Sequence, residues 1–250
     1  MIDRMNVPTR FKLIMCVLFL LPAAACGDGG SRAAHGSPSL SRASASPQPT
    51  TSLQAAPTST AFHSSISVID AALRPRLASS WHNGCPVPIK DLRYLTMSLW
   101  GFDGTAHTGE MVVHENVAGA VVKVFGRLFA ARFPMQRMRL VDAYGGDDDR
   151  SMAANNTSAF NCRAVTGGTA WSQHAYGWAI DINPVQNPYV SKGGTVLPPE
   201  GAKYANRSLS DRGMIHSGDV VVNAFTSIGW GWGGRWVTPK DYQHFSSNGH

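Results

Sequence analysis

Residues 172–181 read Ser172-Gln173-His174-Ala175-Tyr176-Gly177-Trp178-Ala179-Ile180-Asp181. Gly177 permits a turn, and from Trp178 the chain alternates. Trp178, Ile180 and Ile182 share one face of a short strand, with Ala179 and Asp181 on the other. A carboxylate inside so apolar a strand costs several kcal/mol unless it is paired or bound to a cation. His174 lies one turn upstream. The segment Asp241-Tyr242-Gln243-His244-Phe245 brings a second imidazole in another aromatic stretch. One carboxylate and two imidazoles make a three-ligand zinc set with a position left for water. In a regular strand Asp241 and His244 face opposite ways, so Asp241 is expected on a turn, loop or bulge entering the strand, beside the metal without ligating it.

Outward from these segments, the spacing predicts a strand over Leu92 to Trp100, with Leu95, Met97 and Leu99 on one face. Glu110 to His114 reads as a shorter strand, joined to it through the turn residues Phe102-Asp103-Gly104. Asn116 reads as the N-cap of a helix whose apolar face is Val117, Val121, Val124, Phe125, Leu128 and Phe129, ended by Phe133-Pro134. Gln136 to Ala143 reads as a strand running into an acidic loop, Asp147 to Asp149. A second helix is expected over Asp219 to Ile228, stopping at Gly229, and a final strand near Tyr242. Strands and helices alternate without a βαβ rhythm, so the expected class is α+β with an antiparallel sheet.

The N-terminal part has a different character. Arg4, Arg10 and Lys12 precede an apolar run, Leu13 to Leu21, and small residues before Cys26. That is a secretory signal over 1–25, and Ala23-Ala24-Ala25-Cys26 resembles a lipobox, with Ala23 where Leu is more usual. An incidental Cys26 after an ordinary signal is the alternative; either form leaves the cytoplasm. Residues 26–65 are rich in Ser, Ala, Thr, Pro and Gly and read as a disordered tether, with a reach of roughly 35 Å. The folded domain is expected over 66–250. In an oxidising compartment Cys85 and Cys162 are expected to pair, with two buried free thiols as the alternative.

The 250-residue chain carries a formal charge of +6 with only 15% charged and 43% hydrophobic residues. That composition supports a packed core and excludes wholesale disorder. Apolar runs fall short of the roughly 20 residues of a spanning helix. Lys and Arg form no long run, so nucleic acid is not an expected partner. The His-Glu-x-x-His and Gly-x-Ser-x-Gly motifs are absent. Ser172 as a nucleophile beside His174 is disfavoured, because neighbouring positions rarely give attack geometry. The other histidines, His250 among them, read as structural or exposed. Trp230, Trp232 and Trp236 read as core, with a sugar-stacking platform as the alternative.

Ser-x-His-x-x-Gly-x-Ala-x-Asp at 172–181 with Asp-x-x-His at 241–244 resembles the zinc D-alanyl-D-alanine carboxypeptidase family. That family includes VanY-type carboxypeptidases and the L-alanyl-D-glutamate peptidases of phage endolysins. Ile182-Asn183-Pro184, Asn187-Pro188-Tyr189 and Gly229 to Gly234 are similar to its endolysin-like branch, and the resemblance spans roughly 80–247. It implies a small antiparallel sheet flanked by helices, as in the hedgehog signalling domain. It also implies one Zn2+ per chain on His174, Asp181 and His244. Asp241 would then be the general base; many relatives have Glu there, and Asp slightly favours the endopeptidase branch. Arg163 would steady a substrate carbonyl or carboxylate, and Ser172 would contact substrate or orient His174. Pairing of Arg163 with the acidic loop is the competing reading. The expectation is an exported, monomeric zinc peptidase acting on peptidoglycan stem peptides. It would be held at the outer face of the cell membrane by lipid on Cys26, or secreted to the cell wall. The rival is a non-catalytic zinc-containing cell-wall binding module on the same fold; the presence of Asp241 argues for catalysis.

Overall fold

The computed structural model of the chain describes residues 61–250. The expected signal, Cys16, Cys26 and the tether through residue 60 lie outside the described residues. The fold is α+β, built from small antiparallel sheets and a few helices.

Strands β1 (Ser64–Val68), β2 (Leu92–Trp100) and β3 (Ala106–His114) form an antiparallel sheet in that order. Its buried face carries Leu95, Met97 and Leu99 opposite Met111 and Gly109. β3 starts well before the expected Glu110, because the hairpin at 101–105 keeps both strands in register out to Trp100↔Ala106. β1 takes in Ser64 and Ser65, and Phe62 packs at a tilt against Phe129 with ring centroids 5.7 Å apart. The folded unit therefore begins before residue 66. The sequence hid this because an edge strand is held by backbone pairing, which serine satisfies without an apolar pattern.

Helix α1 (Glu115–Ala130) lies on this sheet and buries Val117, Val121, Val124, Phe125, Leu128 and Phe129. Each such side chain contributes about 1.5–3 kcal/mol when fully buried. The cap is His114, not Asn116: His114 has extended backbone angles and its Nδ1 accepts from the Asn116 amide at 3.1 Å. Asn116 lies inside the first turn, where its own amide is the donor to be satisfied.

The expected strand over 136–143 shrinks to β4 (Arg137–Met138). Beyond it Val141 to Tyr144 form a 3-10 turn, with Val141 buried and Leu140 packed among Leu77, Val87, Leu92, Val112 and Phe160. The Asp142 carboxylate accepts from the Ser79 and Ser80 amides at 2.8 and 2.9 Å, which bends the chain away from a strand path. The acidic segment is not a loop either. Asp147 caps α2 (Asp148–Ala153), accepting from the Arg150 amide at 3.0 Å, and acidic side chains in a first turn suit the positive end of a helix. β5 (Asn156–Thr157) pairs in parallel with β4.

β6 (Ala179–Asp181) follows. Further on, β7 (Tyr189–Val190) and β8 (Val196–Leu197) form a hairpin. α3 (Val220–Thr226) is capped by Asp219 and buries Val221, Val222, Ala224 and Phe225. β9 (Gly231–Trp232), β10 (Lys240–Asp241) and β11 (His244–Ser246) complete the chain. β11 lies between β6 and β9, whereas β10 joins the other side of β7. Trp230 and Trp232 are core residues; Trp236 is not. Cys85 and Cys162 form a disulfide across 77 positions. A loop of that length is worth about 4–5 kcal/mol in the chain-entropy account.

Candidate metal centre

Two features aim His174. The Ser172 hydroxyl caps the 3-10 turn Gln173–Tyr176 by accepting from the His174 amide at 3.3 Å. Gly177 ends that turn at φ +70, and a Cβ there would stand 2.5 Å from the His114 amide nitrogen. Only glycine lets the turn press on β3 at this point. The His174 ring then places Nδ1 at 2.6 Å from the Ala159 carbonyl. A carbonyl only accepts, so Nδ1 carries the proton and Nε2 offers its lone pair.

That lone pair meets the other two groups. β6 and β11 set Asp181 directly opposite His244. His174 Nε2 is 3.2 Å from Asp181 Oδ2 and 3.3 Å from His244 Nδ1, which is 3.0 Å from Asp181 Oδ1. The three residues are 3%, 4% and 6% exposed. For metal–ligand distances of about 2.0–2.2 Å, the edges of a tetrahedron are about 3.3–3.6 Å, so a small outward shift of these donors would accommodate zinc. The electrostatics agree. Burial alone pushes the Asp181 carboxyl up, but the facing His174 and His244 hold it well below the usual carboxylate range. Burial likewise disfavours charge on His244, yet the hydrogen bond and charge of Asp181 outweigh it and raise its pKa. The pocket is built around one anion and favours a cation beside it.

A cavity of about 350 Å³ opens beside these groups, lined also by Asp148, Arg163, Ser172, Tyr189, Trp236 and Asp241. Asp241 is neither on a turn nor in a bulge. It pairs in β10 opposite Tyr189, and the chain turns through Tyr242 and Gln243 before β11 begins. Because the two segments belong to different sheets, Asp241 and His244 can both line the cavity. The Asp241 Oδ1 is buried without a partner among the described residues. Burial pushes its carboxyl up to about 7, against the pull of His244. Gly233 packs so closely on this backbone that a Cβ would lie 2.6 Å from the Asp241 carbonyl oxygen.

Arg163 meets the acidic segment, as its competing reading had it. It lines the cavity, and its Nη2 pairs with Asp148 Oδ2 at 2.7 Å. Burial raises the Asp148 pKa, with Arg163 opposing. The disulfide to Cys85, and a hydrogen bond from the Cys162 amide to the Ser80 carbonyl at 3.0 Å, pin the chain next to Arg163. His250, read from sequence as uninvolved, also lines the cavity and stacks on Trp236 at 6.0 Å. Trp236 leans on His244 at 5.6 Å, outside the core to which its spacing assigned it. Tyr189 and Asp148 were missed as cavity residues; their only sequence signals were the Asn-Pro-Tyr segment and the acidic run.

Residues 166–247 match the D-alanyl-D-alanine carboxypeptidase family. The matched stretch is narrower than the resemblance seen in the sequence. It holds Ser172, His174, Asp181, Asp241 and His244, and leaves Arg163 outside. No curated protein and no solved structure matches the chain.

Proposed function

We propose that this chain is an exported zinc metallopeptidase that hydrolyses peptide bonds in the stem peptides of peptidoglycan. The observation that carries the reading is the buried His174–Asp181–His244 donor set with Asp241 beside it in one cavity. His174, Asp181 and His244 would hold the metal, which when bound would supply Lewis acidity to the attacking water and the scissile carbonyl. Asp241 takes a proton from that water as its oxygen bonds to the carbonyl carbon. It then delivers the proton to the leaving nitrogen when the C–N bond breaks. Arg163, held by Asp148, presents positive charge to the substrate carbonyl or carboxylate. Ser172 keeps His174 in position. A lipid on Cys26 and the tether hold the domain at the outer face of the membrane, or the chain is released to the cell wall; it acts as a monomer. The bond cut is a terminal D-Ala linkage or an internal L-Ala–D-Glu linkage.

The test is digestion of purified peptidoglycan with and without chelator, with products read by mass spectrometry. Chelator-sensitive loss of one terminal alanine identifies a carboxypeptidase, and new N-terminal D-Glu ends identify an endopeptidase. One bound zinc per chain without cleavage replaces the reading with a binding module.

A further inference from the structure

Tyr189 is the one tyrosine lining the cavity. Its strand, β7, is the central member of a three-stranded sheet, with β10 on one side and β8 on the other, so its backbone is held from both sides. It stands directly opposite Asp241 in the β7–β10 ladder. Directly opposed residues of an antiparallel pair share a face, with Cβ atoms about 4.5–5.5 Å apart. The phenol therefore rises from the same surface as the proposed base. Its hydroxyl has no hydrogen-bond partner among the described residues; the Tyr94 hydroxyl, by contrast, is engaged by Arg76 and Glu110. Burial and the charge of Asp241 both raise the Tyr189 pKa, which keeps the hydroxyl protonated and able to donate. Arg163 is already committed to Asp148 at 2.7 Å, so its charge is shared before any substrate arrives. The cavity thus has room for a second, neutral donor.

We infer that the Tyr189 hydroxyl is a catalytic hydrogen-bond donor, aimed at the scissile carbonyl oxygen as negative charge develops on it. The inference rests on the peptidase reading above. Tyr189 keeps its proton throughout; the proton from water passes by way of Asp241. A donor fixed on a central strand needs no reorganisation as the charge appears, and that is the property that makes such groups effective.

The experiment is Tyr189→Phe in the full chain, assayed on stem peptides and against a phosphinate analogue of the scissile bond. The phosphinate carries the tetrahedral, anionic form of the reacting carbonyl. The expected result is a kcat lower by about 10²–10³, as for loss of one oxyanion donor, with KM near the wild-type value. Affinity for the phosphinate should fall by the same factor as kcat/KM, while zinc content, Tm and affinity for uncleaved peptide stay unchanged. A wild-type kcat in the variant overturns the inference alone. So does an equal loss of affinity for peptide and phosphinate, or a fall in Tm with loss of zinc, since these mark a binding or structural residue. Failure of the wild-type chain to cleave stem peptides overturns the proposed function, and the inference with it.

Discussion

Asp241 and the three facing groups separate two jobs within one cavity. His174, Asp181 and His244 have their donor atoms turned on one another, whereas Asp241 has a buried oxygen with no partner. Asp241→Asn keeps the volume and removes the base. It is expected to lower kcat by about 10²–10⁴ with one zinc per chain retained, as read by elemental analysis alongside kinetics. His174→Ala should instead lose zinc, and full occupancy in that variant would remove it from the ligand set. The pH dependence follows from the raised Asp241 pKa. A base must be ionised to accept a proton, so kcat/KM should fall on the acid side of that pKa, which lies at about 7 without metal. A nearby dication favours the carboxylate and moves this limb downward. The limb should therefore lie below pH 7. An acid limb in kcat/KM that persists in Asp241→Asn would exclude Asp241 as the base.

At the level of elements, the site is a junction of small pieces. A capped 3-10 turn supplies His174, β6 supplies Asp181, β11 supplies His244 and β10 supplies Asp241. None of these pieces is stable alone, and each is fixed by a neighbour. Gly177 shows how tight the join is. Gly177→Ala sets a side chain in the left-handed region and against the His114 amide. It should cost on the order of 1–3 kcal/mol, measured by chemical denaturation, and weaken zinc retention through displacement of His174. A stability change without any effect on zinc would show that the turn does not aim the imidazole.

For the whole folded unit, two long-range devices tie the pieces together. The disulfide links segments 77 positions apart and reaches Cys162 beside Arg163. The double replacement Cys85→Ser with Cys162→Ser should lower stability by about 2–5 kcal/mol, the usual cost of removing a native bridge, as read by chemical denaturation. A metal on His174, Asp181 and His244 would be the second device. It would join the 3-10 turn to β6 and β11, and at a free concentration 100 times its Kd it should stabilise by about 2.7 kcal/mol. Chelation should lower Tm, and added zinc should restore it. An unchanged Tm would place the metal elsewhere.

The parts of the fold legible in the sequence were those set by local periodicity. The alternating β2 and the apolar stripe of α1 are consequences of side-chain spacing alone. His174, Asp181 and His244 were legible as candidates, from a carboxylate among apolar residues that demands a cation or hydrogen-bonding partner and from the family resemblance; their meeting rests on the β6–β11 register. What depended on the tertiary structure was everything satisfied from a distance. Ser64 and Ser65 pair with β2 through backbone atoms; the Asp142 carboxylate turns a nominal strand into a 3-10 turn by reaching Ser79 and Ser80. Asp241 pairs with β7, not with the strand that carries His244, and this sets Tyr189 opposite it. Backbone pairing and long-range hydrogen bonds leave no period in the sequence, so only the folded chain decides which residues stand around the metal site.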